Sequence, residues 1–116
     1  MHSKHDIGFK SFAASGALTA FTVVQVQSDG TIKVAANNTK GNGVLQSDAA
    51  DGGYASVKLW SAPGTHMAAI SGSAVTAATT YGVITGGYIG VVTLNYFVSL
   101  ETAADGDGTV VEVVTI

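Results

Sequence analysis

Between Lys58 and Glu101 the chain runs for 42 residues, Leu59 to Leu100, without an Asp, Glu, Lys or Arg. A solvated protein surface is normally set with charges, so a neutral stretch of this length is buried in a core, in lipid or against other protein. Lipid fits least. The most apolar window, Val83 to Leu100, holds Gly86, Gly87, Gly90, Thr85, Thr93 and Asn95, and its Val, Thr and Tyr residues suit strands better than a spanning helix. The stretch predicts a β domain whose outer faces are partly covered by copies of itself or by a larger assembly, with no membrane partner.

At 116 residues the chain is the size of one domain. Ala, Gly, Ser and Thr supply 55 of those residues and Leu plus Ile only 11, so the core is built mainly from Val with small fillers. At roughly 25 cal/mol per Å² of buried apolar surface, such thin side chains leave a monomer only marginally ahead of its chain entropy, a gap that oligomerisation would close. The net charge is −3, there is no Arg, and Lys4, Lys10, Lys33, Lys40 and Lys58 are scattered, which argues against a nucleic-acid partner. Without Cys there is neither a disulfide staple nor a thiolate site. Met1 to Lys10 lacks the apolar run of a secretory signal, so the protein is expected to be made and used without export.

Residues 1 to 20 read as an extended or irregular arm, with a turn near Ala13 to Leu18, and residues 21 to 116 as the β domain. Strands are expected over Phe21–Gln27 and Thr31–Ala36, joined by Asp29-Gly30, a tight-turn signal because Gly supplies positive φ. Further strands are expected at Gly43–Gln46, Tyr54–Trp60, His66–Ile70, Ala74–Thr76, Thr80–Ile84 and Thr109–Thr115, with Gly90–Leu100 the longest. One helical turn is allowed in Ser47–Gly53. Short, regularly spaced strands without amphipathic helices predict a mainly β fold, a single small sandwich or barrel of antiparallel strands behind an N-terminal arm. In Tyr54–Trp60, Ala55, Val57 and Leu59 form a core face, and Tyr54 and Trp60 on the other face are the candidate oligomer contacts.

No motif carries chemistry. His2, His5 and Asp6 sit in a terminus with nothing to fix ligand geometry, and Asp105-Gly-Asp107-Gly lacks the remaining oxygens and closing Glu of a calcium loop, so no metal or other cofactor is expected. There is no Gly-x-Ser-x-Gly elbow and no phosphate-binding Gly-rich loop, and no catalytic residues are assigned. What stands out is the arm, in which Phe9 and Phe12, three apart among polar and small residues, either fold back on their own domain or anchor the arm in a groove on another subunit.

His5-Asp-Ile-Gly-Phe-Lys-Ser-Phe12 with Ala17-Leu18 following resembles the opening of the capsid cement, or head-decoration, proteins of tailed bacteriophages. Asp29-Gly-Thr-Ile-Lys-Val-Ala, Gly43-Val-Leu, Ala49-Ala50, Gly53, Ser71-Gly-Ser-Ala-Val-Thr76 and Ala103-Ala-Asp-Gly-Asp-Gly-Thr-Val-Val-Glu-Val are similar to that family in order and spacing. The resemblance implies a non-enzymatic virion protein that binds the major capsid protein on the outer surface of an icosahedral head. It also implies homotrimers at threefold and quasi-threefold positions, which strengthen the shell against internal pressure. On that reading His5, Asp6, Phe9, Lys10 and Phe12 form the capsid-binding arm. The alternatives are another virion component, in the tail tube or tail tip, and a glycan-binding module stacking sugars on Trp60, Tyr54, Tyr81 or Tyr88.

Overall fold

The computed structural model describes residues 8–62, 64–71, 74–104 and 108–116. Among these the chain makes ten strands and no helix. β1 (Phe9–Ala13), β2 (Val23–Val26), β3 (Ile32–Val34), β4 (Gly43–Leu45) and β5 (Tyr54–Leu59) form an antiparallel sheet in the order β1-β5-β4-β2-β3. The Asp29-Gly30 signal makes the β2–β3 hairpin: Gly30 takes φ +86°, and Asp29 Oδ1 accepts both the amide and the hydroxyl of Thr31, at 3.0 and 2.6 Å. The sheet curls until its edge strands touch at one point, where Ala14 bridges Ile32 in parallel and the Ser15 amide donates to the Ile32 carbonyl. Its concave face encloses Leu18, Val24, Ile32, Leu45 and Val57, all buried.

The second half closes completely. β6 (His66–Ile70), β7 (Thr80–Val83), β8 (Ile89–Gly90), β9 (Phe97–Ser99) and β10 (Thr109–Thr115) form a barrel in the order β10-β6-β8-β7-β9, antiparallel except where β6 meets β8 at Ile70 and Ile89. Period two is plain along β10, where Val111 and Val113 point inward and Val110, Glu112 and Val114 outward. Ile70, Val75, Tyr81, Val83, Ile89 and Phe97 fill the barrel core, and Val23, Ala35 and Val44 from the first sheet join it. The two halves thus share one apolar interface rather than standing as beads. A small β barrel or sandwich is what the sequence predicts, and it is what forms.

Several local expectations change. The run Gly90–Leu100 is not one strand: it splits into β8 and β9 around an exposed segment, 91–95. That segment leaves the ladder because the Leu94 amide is taken by Asn38 Oδ1 at 2.8 Å, while its carbonyl lies against Gly82, where a Cβ would collide with it. No helical turn forms in 47–53; Ala49 bridges Leu18 instead. Ala74–Thr76 shrinks to a single bridge between Val75 and Ala103.

Of the segment read as an arm, residues 8–20 are woven into the first sheet. β1 pairs with β5 over its whole length, Ala14 and Leu18 are core, and the carboxylates of Asp51 and Asp48 accept the amides of Gly16 and Ala20 at 2.8 and 2.7 Å. Phe9, Lys10 and Phe12 therefore sit on a sheet edge. His5 and Asp6 lie outside the described residues.

Candidate interaction surfaces

Because strand side chains alternate, Phe9 and Phe12 lie on opposite faces of β1 and cannot anchor in one groove. Phe9 is 40% exposed on the outer face, opposite Lys58, whose Nζ lies 5.6 Å from its ring centroid and donates to the Thr65 carbonyl at 2.5 Å. Tyr54, at 76% exposure, continues that face opposite Ala13. On the inner face Phe12 is half buried against the first core, and Lys10 lays its Nζ 5.9 Å above the Phe12 ring. Lys10 and Phe12 open onto a groove of about 470 Å³, bounded also by Val26, Leu59 and Trp60, with Asn42 and Ser61 at its rim. Among the described residues no carboxylate lines it.

The backbone of β1 adds to this site. The Leu59 amide donates to the Gly8 carbonyl, and antiparallel ladders alternate, so Lys10 and Phe12 spend their amides and carbonyls on β5 while those of Phe9 and Ser11 point to an edge that no described strand covers. The sheet touches itself only from Ala14 onward, so the Phe9–Ser11 edge is a seam in an otherwise curled sheet.

Trp60 turns out to be a joint between the halves. It sits half buried just past β5, with its ring 4.8 Å from His66 (edge-on) and 4.9 Å from Phe97, and its Nε1–H donates to the Lys40 carbonyl at 3.0 Å. Tyr54 and Trp60 are thus not brought together: Trp60 lines the groove and Tyr54 does not. Of the rings considered for sugar stacking, Tyr81 is buried in the barrel, with its hydroxyl accepting the Thr76 amide at 2.8 Å, Trp60 and Tyr88 are half buried, and Tyr54 is exposed.

His66 is the buried titratable group of the joint, 2% exposed. Its Nε2 is 2.9 Å from the Leu59 carbonyl, which fixes Nε2 as the protonated donor and leaves Nδ1 buried without a partner. Burial pushes its pKa below the ordinary histidine value; the Leu59 carbonyl opposes this and the Lys58 charge adds to it. Sealed behind Trp60, it faces no open site. Among the described residues no group of three or more His, Asp or Glu could hold a metal ion. His2, His5, Asp6, Asp105 and Asp107 lie outside them. No helix among the described residues is long and apolar enough to cross a membrane.

A second surface lies in the charge-free stretch, whose outer faces the sequence expects to be covered by other protein. Val91 is 75% exposed, Leu94 46% and Leu100 44%, and residues 76–80, all neutral, are exposed as well. The apolar character of Gly87 to Tyr96 signals it, but reading 90–100 as a strand assigns those side chains to a ladder.

No protein-family model matches the chain, and no curated protein does. Among solved structures it is similar to the N base of the head fiber gp8.5 of bacteriophage phi29, with a TM-score of 0.75 and 20% sequence identity over 93% of this chain and 94% of that one. At that identity the likeness is one of fold.

Proposed function

We propose that this chain is a structural virion protein that sits on the outer surface of a bacteriophage head, where it binds the major capsid protein and stabilises the shell. The observation that carries the reading is the match of nearly the whole chain, barrel and curled sheet together, to the base of a phage head fiber. The exposed apolar side chains of the barrel support it: Val91, Leu94 and Leu100 cost free energy in water and gain it against neighbouring protein. We take the assembled form to be a homotrimer at threefold and quasi-threefold positions, with that surface toward the axis. Such a protein acts by contact and not by catalysis, and the sealing of His66 inside the joint fits a molecule without a reacting site. Many copies each adding a modest interface turn local affinity into resistance to rupture.

The experiment compares phage heads with and without the protein. Co-sedimentation with the heads, an electron-microscopic position on their outer surface and a higher temperature of genome release are expected. Equal release temperatures with and without the protein would defeat the stabilising role, and absence from the head surface would defeat the whole reading.

A further inference from the structure

We propose that the seam of the first sheet is a strand-capture site: the free edge of β1 at Phe9 and Ser11 pairs with an extended segment of the shell protein, which lowers an apolar side chain into the adjoining groove and sets a carboxylate against Lys10. The inference deepens the head-surface role and rests on it only for the source of the segment. Three features converge on this occupant.

The first is backbone. Phe9 and Ser11 present two amides and two carbonyls to the open edge, the pattern on which an added strand forms a ladder. The second is the groove. It begins on the same strand, at Lys10 and Phe12, so every second residue of a docked strand would face its apolar wall of Phe12, Val26, Leu59 and Trp60. The third is charge. Lys10 is exposed at the mouth, has only the Phe12 ring beneath it, and makes no ion pair with any described residue. With no carboxylate among the described lining residues, an acidic side chain on the incoming strand supplies the missing partner. A basic or wholly apolar strand would leave that cation uncompensated.

Trp60, the only tryptophan, lines the groove and reports its occupancy by fluorescence. The probe is a capped peptide, Thr-Asp-Thr-Phe-Thr, in which Asp and Phe fall on one face of a strand, titrated into the full chain. Saturable change in Trp60 emission is expected, with amide NMR shifts centred on Phe9 to Phe12. Replacing Asp by Lys in the peptide, or Lys10→Glu in the protein, should weaken binding at least tenfold. Ser11→Pro should do the same by deleting an edge amide that β5 does not use, and a peptide N-methylated at alternate residues gives the same test on unaltered protein.

Binding indifferent to N-methylation, or shifts mapping away from β1, would overturn strand capture. So would a concentration-dependent dimer that occludes the peptide and disappears in Ser11→Pro, because a second copy would then own the edge. A chain found on heads that ignores the peptide sinks this inference alone; one that binds the peptide but is absent from heads sinks the proposed function alone.

Discussion

The buried imidazole at the joint gives the protein a stability that falls with acid in a defined window. Folding disfavours the charged form of His66: Nε2–H is spent on the Leu59 carbonyl, and a second proton would sit on Nδ1, which is buried without a hydrogen-bond partner among the described residues. Its folded pKa is lowered. The unfolded chain therefore binds the proton first, and stability drops as pH falls below the unfolded value near 6.5 until the folded pKa is reached. Within that window each pH unit costs less than the about 1.4 kcal/mol that a full proton difference would carry. Lys58 and Glu112 flank the site from β5 and β10. The Lys58 ammonium donates to the Thr65 carbonyl, and the Glu112 carboxylate accepts from the Thr65 hydroxyl at 2.5 Å. The assay is urea unfolding at half-unit steps from pH 7.5 to 5, in wild type and in His66→Phe, with His2 and His5 common to both. His66→Phe leaves the Leu59 carbonyl unmet and should lose about 1–3 kcal/mol at pH 7.5. That deficit should shrink steadily toward pH 5, where wild type carries the proton penalty alone. Parallel curves for the two proteins would refute the reasoning.

Phe97→Ala removes a fully buried ring from the barrel core and its contact with Trp60, and should cost about 3–5 kcal/mol, read as a lower urea midpoint. Gly82→Ala sets a methyl against the Leu94 carbonyl, so amide exchange in 91–95 should accelerate and the melting temperature fall, whereas Gly52→Ala, with open space around it but φ +78°, should cost only about 1 kcal/mol of backbone strain. Asp48→Ala and Asp51→Ala each strand one amide of the 16–20 segment and should each lose about 0.5–1.5 kcal/mol; proteolysis within 14–20 should rise most in the double variant.

Local signals in the sequence carried well where one residue dictates the backbone or a strict period persists. Asp29-Gly30 had to be a hairpin, and the alternating Val residues of 109–115 had to face in and out of a core. Phe9-Lys-Ser-Phe12 was harder because it has no apolar alternation: its strand is held by pairing with Tyr54–Lys58, some 45 residues away, and by the distant carboxylates of Asp48 and Asp51, none of which a local window contains. Had it been read as a strand, the spacing of three would have placed the two phenylalanines on opposite faces at once. The break at 91–95 was hidden for a similar reason, since it depends on Asn38 reaching across 56 positions to Leu94. Trp60 looked like an exposed anchor from the alternation of β5, but the strand ends at Leu59, and the chain turns there to lay the indole between His66 and Phe97.

The charge-free stretch has two causes, and they separate in space. Closure of the barrel accounts for Ile70, Val75, Tyr81, Val83, Ile89 and Phe97, because a five-strand barrel is filled by its own inward side chains and has no room for an ion. It does not account for the outside of the same wall, where residues 76–80, Val91, Leu94 and Leu100 face water and charges would be free to sit. All five lysines lie at or before position 58, whereas the chain beyond carries only Glu101, Asp105, Asp107 and Glu112. The molecule thus divides into a half whose surface keeps both signs, including the seam with Lys10, and a half that offers a neighbour small, neutral side chains with scarcely a charge to desolvate. Under the proposed function these two surfaces divide the work: polar register where the partner is the shell, and cheaply dehydrated contact where the partner is another copy.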